Sequence, residues 1–166
     1  MGKEQFLVEH VLQNAKRNQS FAEAQKEFAN SQVLFQSAVV SSYEKGVSLH
    51  EVKDKTPREG EMIVQVETAG INYSDLLMMK GQYHHKPQLP FTPGFELAGI
   101  IHSVGKNVTN WKEGDRILCM KNGETGAFSK FCTIHEKQDL ILSLPYSISS
   151  DLAATIAVAY GSAYWA

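Results

Sequence analysis

Two polar side chains between residues 69 and 99, those of Asn72 and Tyr83, belong to types that can take part in chemistry. The amide of Asn72 can donate to a carbonyl oxygen and accept from a carboxamide N–H group. The phenol of Tyr83 can hydrogen-bond an enolate oxygen as its charge develops. Each also has a structural interpretation, because asparagine often satisfies a turn backbone and a loop tyrosine often packs its ring. Both interpretations stay open here.

The other titratable residues of this region give weaker signals. His84 and His85 are adjacent, and adjacent side chains in an extended loop point to opposite sides. No third ligand stands near them in the sequence, so a solvated loop is the favoured interpretation. Asp75 and Glu96 are expected to brace the fold rather than to catalyse.

The two cysteines, Cys119 and Cys132, are thirteen residues apart. If residues 116–120 and 127–134 form a hairpin, Cys119 faces about Phe128 rather than the other cysteine. The sequence therefore predicts two buried free thiols and no disulfide, which fits a reducing compartment.

The elements that must carry the two polar residues follow from alternation and from turn residues. Residues 61–71 alternate and are rich in β-branched side chains, which predicts a half-buried strand that ends at Gly70. Ser74 and Asp75 favour a helix start, because their oxygens accept N–H groups of a first turn. The apolar residues 76–79 then form a short helical turn that a glycine closes.

Strands dominate the chain from Val33, and glycine or polar turns separate them, as an antiparallel barrel requires. Residues 149–151 are predicted to cap a helix with the apolar body LAATIAVAY, which Gly161 breaks before a further helix begins in GSAYWA. The predicted strands are VLFQSAVV, GVSLHEV, EMIVQVETAGI, ELAGIIHSV, DRILCM and AFSKFCTI.

The first 30 residues are predicted to form an amphipathic helical extension before a domain over residues 31–166. Ser20 and Glu23 have the spacing of a capping box, ahead of Phe21 and Phe28 on one helix face. This extension either packs on the domain or docks a partner, and packing on the domain is favoured.

Composition excludes several classes of function. The chain has 166 residues and 43% hydrophobic residues, enough for one domain with a core. A net charge of −2 with mixed signs makes nucleic acid an unfavoured partner, and no apolar stretch reaches membrane-spanning length. The N-terminus has no apolar core of a secretory signal, so a cytoplasmic location is favoured over the mitochondrial alternative.

The order of four motifs resembles the N-terminal GroES-like catalytic domain of the medium-chain dehydrogenase/reductase superfamily. GIN-x-SD, PGFE-x-AG, a GDR strand and AATIAVAYGSAYWA follow one another between about Val33 and Ala166. The resemblance implies a mainly β fold with α, a GroES-like, partly open antiparallel β-barrel with short helices. It also implies that the chain stops before the nucleotide-binding domain and has no complete Rossmann domain.

Zinc-dependent members of that superfamily resemble G-x-C-x-x-D and G-H-E where this chain has Asn72 and Phe95. An amide and a phenyl ring cannot replace a thiolate and an imidazole, and Glu96 alone does not hold zinc. The structural zinc lobe of such relatives needs four clustered cysteines, whereas this chain has two. The resemblance is thus to the zinc-free branch, and within it to the quinone oxidoreductase-like group, so no metal is expected.

The resemblance also implies roles for particular residues. In zinc-free relatives, an asparagine at the place of Asn72 faces the nicotinamide and the substrate. Tyr83 stands where enoyl thioester reductases carry a tyrosine suspected of donating or orienting a proton. Ser162 stands where relatives place a Thr or Ser near the nicotinamide, although it also fits a helix N-cap. Some quinone reductases have a second tyrosine where this chain has Leu77, which leaves the substrate open.

Two hypotheses of function follow. No G-x-G-x-x-G follows a predicted strand, and in this superfamily the nucleotide binds mainly to the second domain. The first hypothesis is the catalytic-domain portion of a zinc-independent, NADPH-dependent quinone or enone oxidoreductase that is inactive alone. The alternative is a non-enzymatic GroES-like module that binds a protein partner. An exposed apolar surface near the C-terminus is expected to cause weak self-association, and its residues are Ile156, Val158, Tyr160, Tyr164 and Trp165.

Overall fold

Antiparallel strands in two open sheets make up most of the computed structural model, which describes residues 34–53, 56–122 and 126–166. The smaller sheet pairs β1 (Leu34–Ser42) with β2 (Gly46–Lys53). The larger sheet contains β3 (Glu61–Gly70), β4 (Glu96–Val104), β5 (Arg116–Met120), β6 (Phe131–His135) and β7 (Leu140–Ser143). Its strand order is β6-β3-β4-β5-β7.

Short helical segments complete this part of the chain. They are α1 (Tyr73–Met79), α2 (Ser150–Ala153), a π-helix (Ile156–Tyr160) and α3 (Gly161–Trp165). The described residues contain no parallel strand pair, so the prediction of a mainly β fold without a complete Rossmann domain is confirmed. No helix in these residues is long and apolar enough to cross a membrane. The predicted helical extension over residues 1–30 lies outside them.

All six predicted strands are present, and most of their described ends agree within two residues. Val33 lies outside the described residues, and the largest difference is at the last predicted strand, which begins at Phe131 rather than at Ala127. β7 was not predicted, because LILS is short and no glycine or proline marks its start.

The predicted hairpin of residues 116–120 with 127–134 is wrong, because β5 pairs with β4 and β7 while β6 pairs with β3. Cys119 therefore lies opposite Leu97 and Ile141, and Cys132 lies opposite Val64. Both thiols are nevertheless buried and outside any disulfide, as predicted.

The main core lies on one side of the larger sheet. Three successive side chains of β3, those of Met62, Ile63 and Val64, are buried. Met62 and Val64 belong to this core, whereas Ile63, which alternates with them, does not. The core is completed by apolar side chains of the neighbouring strands and of the segment before β6, namely Leu97, Ile101, Ile117, Cys119, Ala127, Cys132 and Ile134.

The helical region near residue 150 starts as predicted and continues differently. The Ser149 hydroxyl caps α2 by accepting from the backbone N–H of Leu152. Gly161 was predicted to break the helix, yet it has helical dihedral angles of −59° and −46°. The irregularity lies instead at Thr155, with φ −106° and ψ −3°. Tyr160, Tyr164 and Trp165 are exposed, and self-association through them stays a prediction.

Candidate active site

Asn72 is held at the start of α1 by two carboxylates. It is the N-cap residue, with an extended backbone, and its N–H donates to Asp75 Oδ2 at 2.7 Å. Asp75 thus occupies the first turn, as the sequence predicted, although Asn72 rather than Ser74 is the cap. The Asn72 side chain donates from Nδ2 to Glu96 Oε1 at 2.8 Å. Both its main chain and its amide are therefore fixed.

The two carboxylates that hold Asn72 are almost completely buried. Asp75 is 0% and Glu96 is 1% exposed. Burial raises the pKa of Asp75, and the negative charge of Glu96 raises it further, while N–H groups of Asn72, Gly94 and Phe95 oppose the shift. Among the described residues, Asp75 Oδ1 has no hydrogen-bond partner. Glu96 uses its second oxygen to accept from the backbone N–H of Val158 at 2.9 Å.

Tyr83 lines a cleft of about 380 Å³ beside α1. Its ring centroid lies 4.2 Å from that of His84 and 5.8 Å from that of Phe95. It packs at the edge of a small apolar cluster built on Val40, Met78 and Phe91. The other walls of the cleft include Ser74, Met78, Phe95, Met120, Lys121 and Val158.

The structure brings some of the predicted site residues together and leaves one apart. Tyr83 lines the cleft directly. Asn72 is not part of its lining, but Glu96 links the Asn72 amide to Val158, which forms part of the wall. Ser162 is exposed on α3 and lies outside the lining residues, so the described residues give it no contact with the cleft.

A buried lysine in the cleft wall was not found from the sequence. Lys121 is 6% exposed and donates from Nζ to Asp139 Oδ2 at 2.8 Å and to the Thr133 carbonyl at 2.9 Å. Burial lowers the pKa of its ammonium, but Cys132 and Asp139 outweigh that effect and raise the pKa above its ordinary value. The lysine therefore stays protonated, and its charge is paired with that of Asp139. The one available signal was its place directly after an apolar strand.

The adjacent histidines behave as the sequence suggested, since His84 and His85 are both exposed. In the part of the chain that the structure describes, no three His, Cys, Asp or Glu side chains are grouped to hold a metal ion. Phe95, which stands where zinc-dependent relatives have histidine, packs its ring beside Tyr83. The absence of zinc stays a prediction.

A second and larger groove of about 720 Å³ was also missed by sequence reasoning. Residues of β1 and β2 line it together with the loop of residues 85–92, and His85 borders both this groove and the Tyr83 cleft. Its aromatic walls are Phe35, Phe91 and Phe131.

Comparison with known proteins of similar sequence identifies the family. The model of the alcohol dehydrogenase GroES-like domain matches residues 58–146. Quinone oxidoreductase-like protein 2 homolog of Nematostella vectensis is 38% identical over 117 residues, which make up 68% of this chain and 31% of that protein. Quinone oxidoreductase-like protein 2 of Bos taurus is 33% identical over 132 residues, 80% of this chain and 37% of that protein. The chain spans about a third of the length of these curated relatives.

Solved structures agree with this assignment. Escherichia coli quinone oxidoreductase complexed with NADPH is similar with a TM-score of 0.62 and 30% sequence identity. The similarity covers 74% of this chain and 36% of that one. The motif order, the open antiparallel sheets and these matches agree, and the chain belongs to the alcohol dehydrogenase GroES-like domain family of the medium-chain dehydrogenase/reductase superfamily.

Proposed function

We propose that this chain is the substrate-facing part of a zinc-independent, NADPH-dependent oxidoreductase that acts on quinones or related enones. The observation that carries the proposal is the cleft beside α1, whose lining includes Tyr83 and Lys121. Relatives named quinone oxidoreductase-like support the substrate class, and the Escherichia coli quinone oxidoreductase complexed with NADPH supports the cofactor.

The lining of the cleft fits a flat conjugated ring. Met78, Phe95, Met120 and Val158 supply its apolar surface. The polar lining residues are Ser74, Tyr83, His84, His85, Lys121 and Asn122. Small-molecule sites typically combine apolar surface with placed polar groups that fix orientation. The cleft volume of about 380 Å³ also suits a ring of this kind better than a complete dinucleotide.

Reduction of a conjugated carbonyl places negative charge on its oxygen, and NADPH supplies the hydride when it is bound. No hydrogen bond joins the Tyr83 hydroxyl to another described residue, so it can donate to that oxygen. Lys121 also lines the cleft, but its buried ammonium is paired with the Asp139 carboxylate, so Tyr83 is the group proposed to meet the developing negative charge. Tyr83 is thus the proposed catalytic residue, with Asn72 and Ser162 as proposed contacts of the nicotinamide.

Zinc independence has its own support in the contacts of the residues concerned. Phe95 offers only a phenyl ring, and the Glu96 carboxylate already accepts from Asn72 and from Val158. A zinc ion needs about three nitrogen, sulfur or oxygen ligands from the protein. These residues supply no such set, so the proposed reaction uses side-chain and cofactor groups alone.

A chimera tests the proposal. Residues 1–166 are joined to the nucleotide-binding domain of a quinone oxidoreductase, and quinone-dependent oxidation of NADPH is measured beside the 166-residue chain alone. Activity in the chimera and none in the chain alone is expected, because the chain carries no nucleotide fingerprint. A folded chimera that binds NADPH but reduces neither quinones nor enones would refute the enzyme and favour the partner-binding module.

A further inference from the structure

A buried carboxylate replaces a backbone acceptor in the middle of the last helical region. The N–H of Val158 donates to Glu96 Oε2 at 2.9 Å. In a continuous α-helix, that N–H would donate to the carbonyl of Ala154, four residues earlier. Glu96 is 1% exposed, so its carboxylate competes with the helix from inside the protein rather than from solvent.

The Ala154 carbonyl, which Val158 would otherwise use as its acceptor, faces Gly70 instead. A side-chain carbon on Gly70 would collide both with this carbonyl oxygen and with the Glu96 carboxylate. The carbonyl and the carboxylate therefore meet over the bare Cα of Gly70, at the end of β3. The lack of a side chain at this position permits the approach that separates the Ala154 carbonyl from Val158.

Beyond this point the helix continues with a wider turn. The N–H of Gly161 donates to the carbonyl of Ile156, five residues earlier, which is the π-helical pattern. Such turns appear where a side chain inserts into the α-helical ladder, and they are frequent at functional sites. In this chain the inserted group is Glu96, and one residue of the resulting turn, Val158, lines the Tyr83 cleft.

We infer that Glu96 is a positioning residue of the Tyr83 cleft, because one oxygen of its carboxylate holds Val158 in the cleft wall while the other holds the Asn72 amide. The two elements that flank the cleft, α1 and the π-helix, are thereby tied to the first residue of β4. The effect of Glu96 on catalysis rests on the proposed function, whereas the two hydrogen bonds by which it holds Val158 and Asn72 do not.

The two donors explain why this position needs a carboxylate. Both partners of Glu96 are N–H groups, and an ionised carboxylate offers acceptors only. A glutamine keeps the shape but turns an NH₂ group towards one of the two donors. A donor that faces a donor in a buried site loses its hydrogen bond and leaves a polar group unsatisfied. Glu96→Gln should therefore release either Val158 or Asn72.

Amide hydrogen exchange of the ¹⁵N-labelled 166-residue chain tests the geometric part. In Glu96→Gln, either exchange of the Val158 amide should accelerate by about tenfold or more, or the side-chain NH₂ signals of Asn72 should shift, because one of the two charge-assisted hydrogen bonds is lost. The amides of Val64 and Ile117 should keep their rates. The matched control is Glu61→Gln, which weakens another carboxylate-to-backbone bond, from Arg58 N, at the far end of β3.

Duroquinone, whose fully substituted ring resists thiol addition, is the probe for the functional part. Its titration should shift the Tyr83 and Val158 signals in the wild-type chain, and its Kd should rise at least about threefold in Glu96→Gln but not in Glu61→Gln. If the Val158 exchange rate and the Asn72 side-chain signals are both unchanged in Glu96→Gln, or if Val158 exchanges rapidly in the wild type, the positioning role is overturned.

The two proposals fail in distinguishable ways. If duroquinone leaves the wild-type cleft signals unchanged, the proposed function is refuted, while the exchange data still decide the role of Glu96. If Glu96→Gln does not fold, Glu96→Asp replaces it, because its shorter carboxylate cannot reach both donors. Faster Val158 exchange or shifted Asn72 side-chain signals in Glu96→Asp support the inference, and no change in either overturns it.

Discussion

The Lys121 ammonium and the Asp139 carboxylate form an ion pair at 2.8 Å, in which the two side chains are 5% and 4% exposed. The same carboxylate accepts from the backbone N–H groups of Asn122 and His135. One buried group thus connects the end of β5, the end of β6 and the wall of the cleft.

Replacing Asp139 by asparagine should lower the free energy of unfolding by about 3–5 kcal/mol, because a buried ammonium loses its counter-charge. Urea unfolding of both proteins measures the difference. Glu59→Gln, at an exposed hydrogen bond to Asn107, is the control and should stay within about 0.5 kcal/mol. A cost below about 1 kcal/mol for Asp139→Asn would mean that water screens the pair.

The purified chain should hold no stoichiometric zinc after dialysis, because Asn72 and Phe95 cannot supply the thiolate and the imidazole of a catalytic site. Metal analysis by mass spectrometry gives the answer. The matched variant N72C/F95H restores both ligand types beside Glu96 and should gain zinc. Zinc at one equivalent in the unmodified chain would contradict the zinc-free assignment.

In the chimera that carries a nucleotide-binding domain, Tyr83→Phe should lower kcat more than it raises KM, because a hydroxyl that stabilises the developing oxyanion acts mainly in the transition state. Steady-state kinetics separate the two constants. Tyr73→Phe on α1 is the control, since this tyrosine is 74% exposed and outside the cleft. Changes within about twofold, on the order of 0.4 kcal/mol, would reduce Tyr83 to a packing residue.

Glu136 should make the free energy of unfolding depend on pH in the acidic range. Its carboxylate accepts from the N–H groups of Asn110 and Thr109, which lower its pKa from the ordinary 4.5. The folded form therefore favours the ionised state, so this contribution is present above about pH 4.5 and disappears as the pH falls through the lowered pKa. In Glu136→Gln the unfolding midpoint in urea should fall at pH 7 and approach the wild-type value near pH 3. An equal difference at both pH values would disprove the linkage.

Local patterns were enough to predict six of the seven strands in the described residues and the approximate helix starts, and non-local contacts explain most of what was missed. β3 and β4 were predicted because alternation and glycine turns depend only on residues that are close in the sequence. The partner of β5 could not be predicted from the residues of β5 alone, since its pairing with β7 depends on how the whole sheet assembles. The hairpin of residues 116–120 with 127–134 therefore looked reasonable and was wrong.

The same distinction applies to the site. Tyr83 stood out because the surrounding motif resembles a known family. The ion pair of Lys121 with Asp139 joins residues 18 apart through a strand order that no local motif specifies. The helix irregularity at Thr155 was equally hidden, because its cause, the bond from Val158 to Glu96, spans 62 residues.

The strand order has a consequence for folding kinetics. β6 pairs with β3, for example Val64 with Cys132, across a long intervening segment, whereas β4 and β5 pair over a much shorter one. Closing the longer loop costs more chain entropy, so the β4–β5 pair should assemble before β6 is added. Truncation of Cys132 to alanine should then mainly accelerate unfolding, whereas truncation of Leu97 should mainly slow folding, in stopped-flow measurements. Equal effects on both rates would mean that the whole sheet forms in a single step.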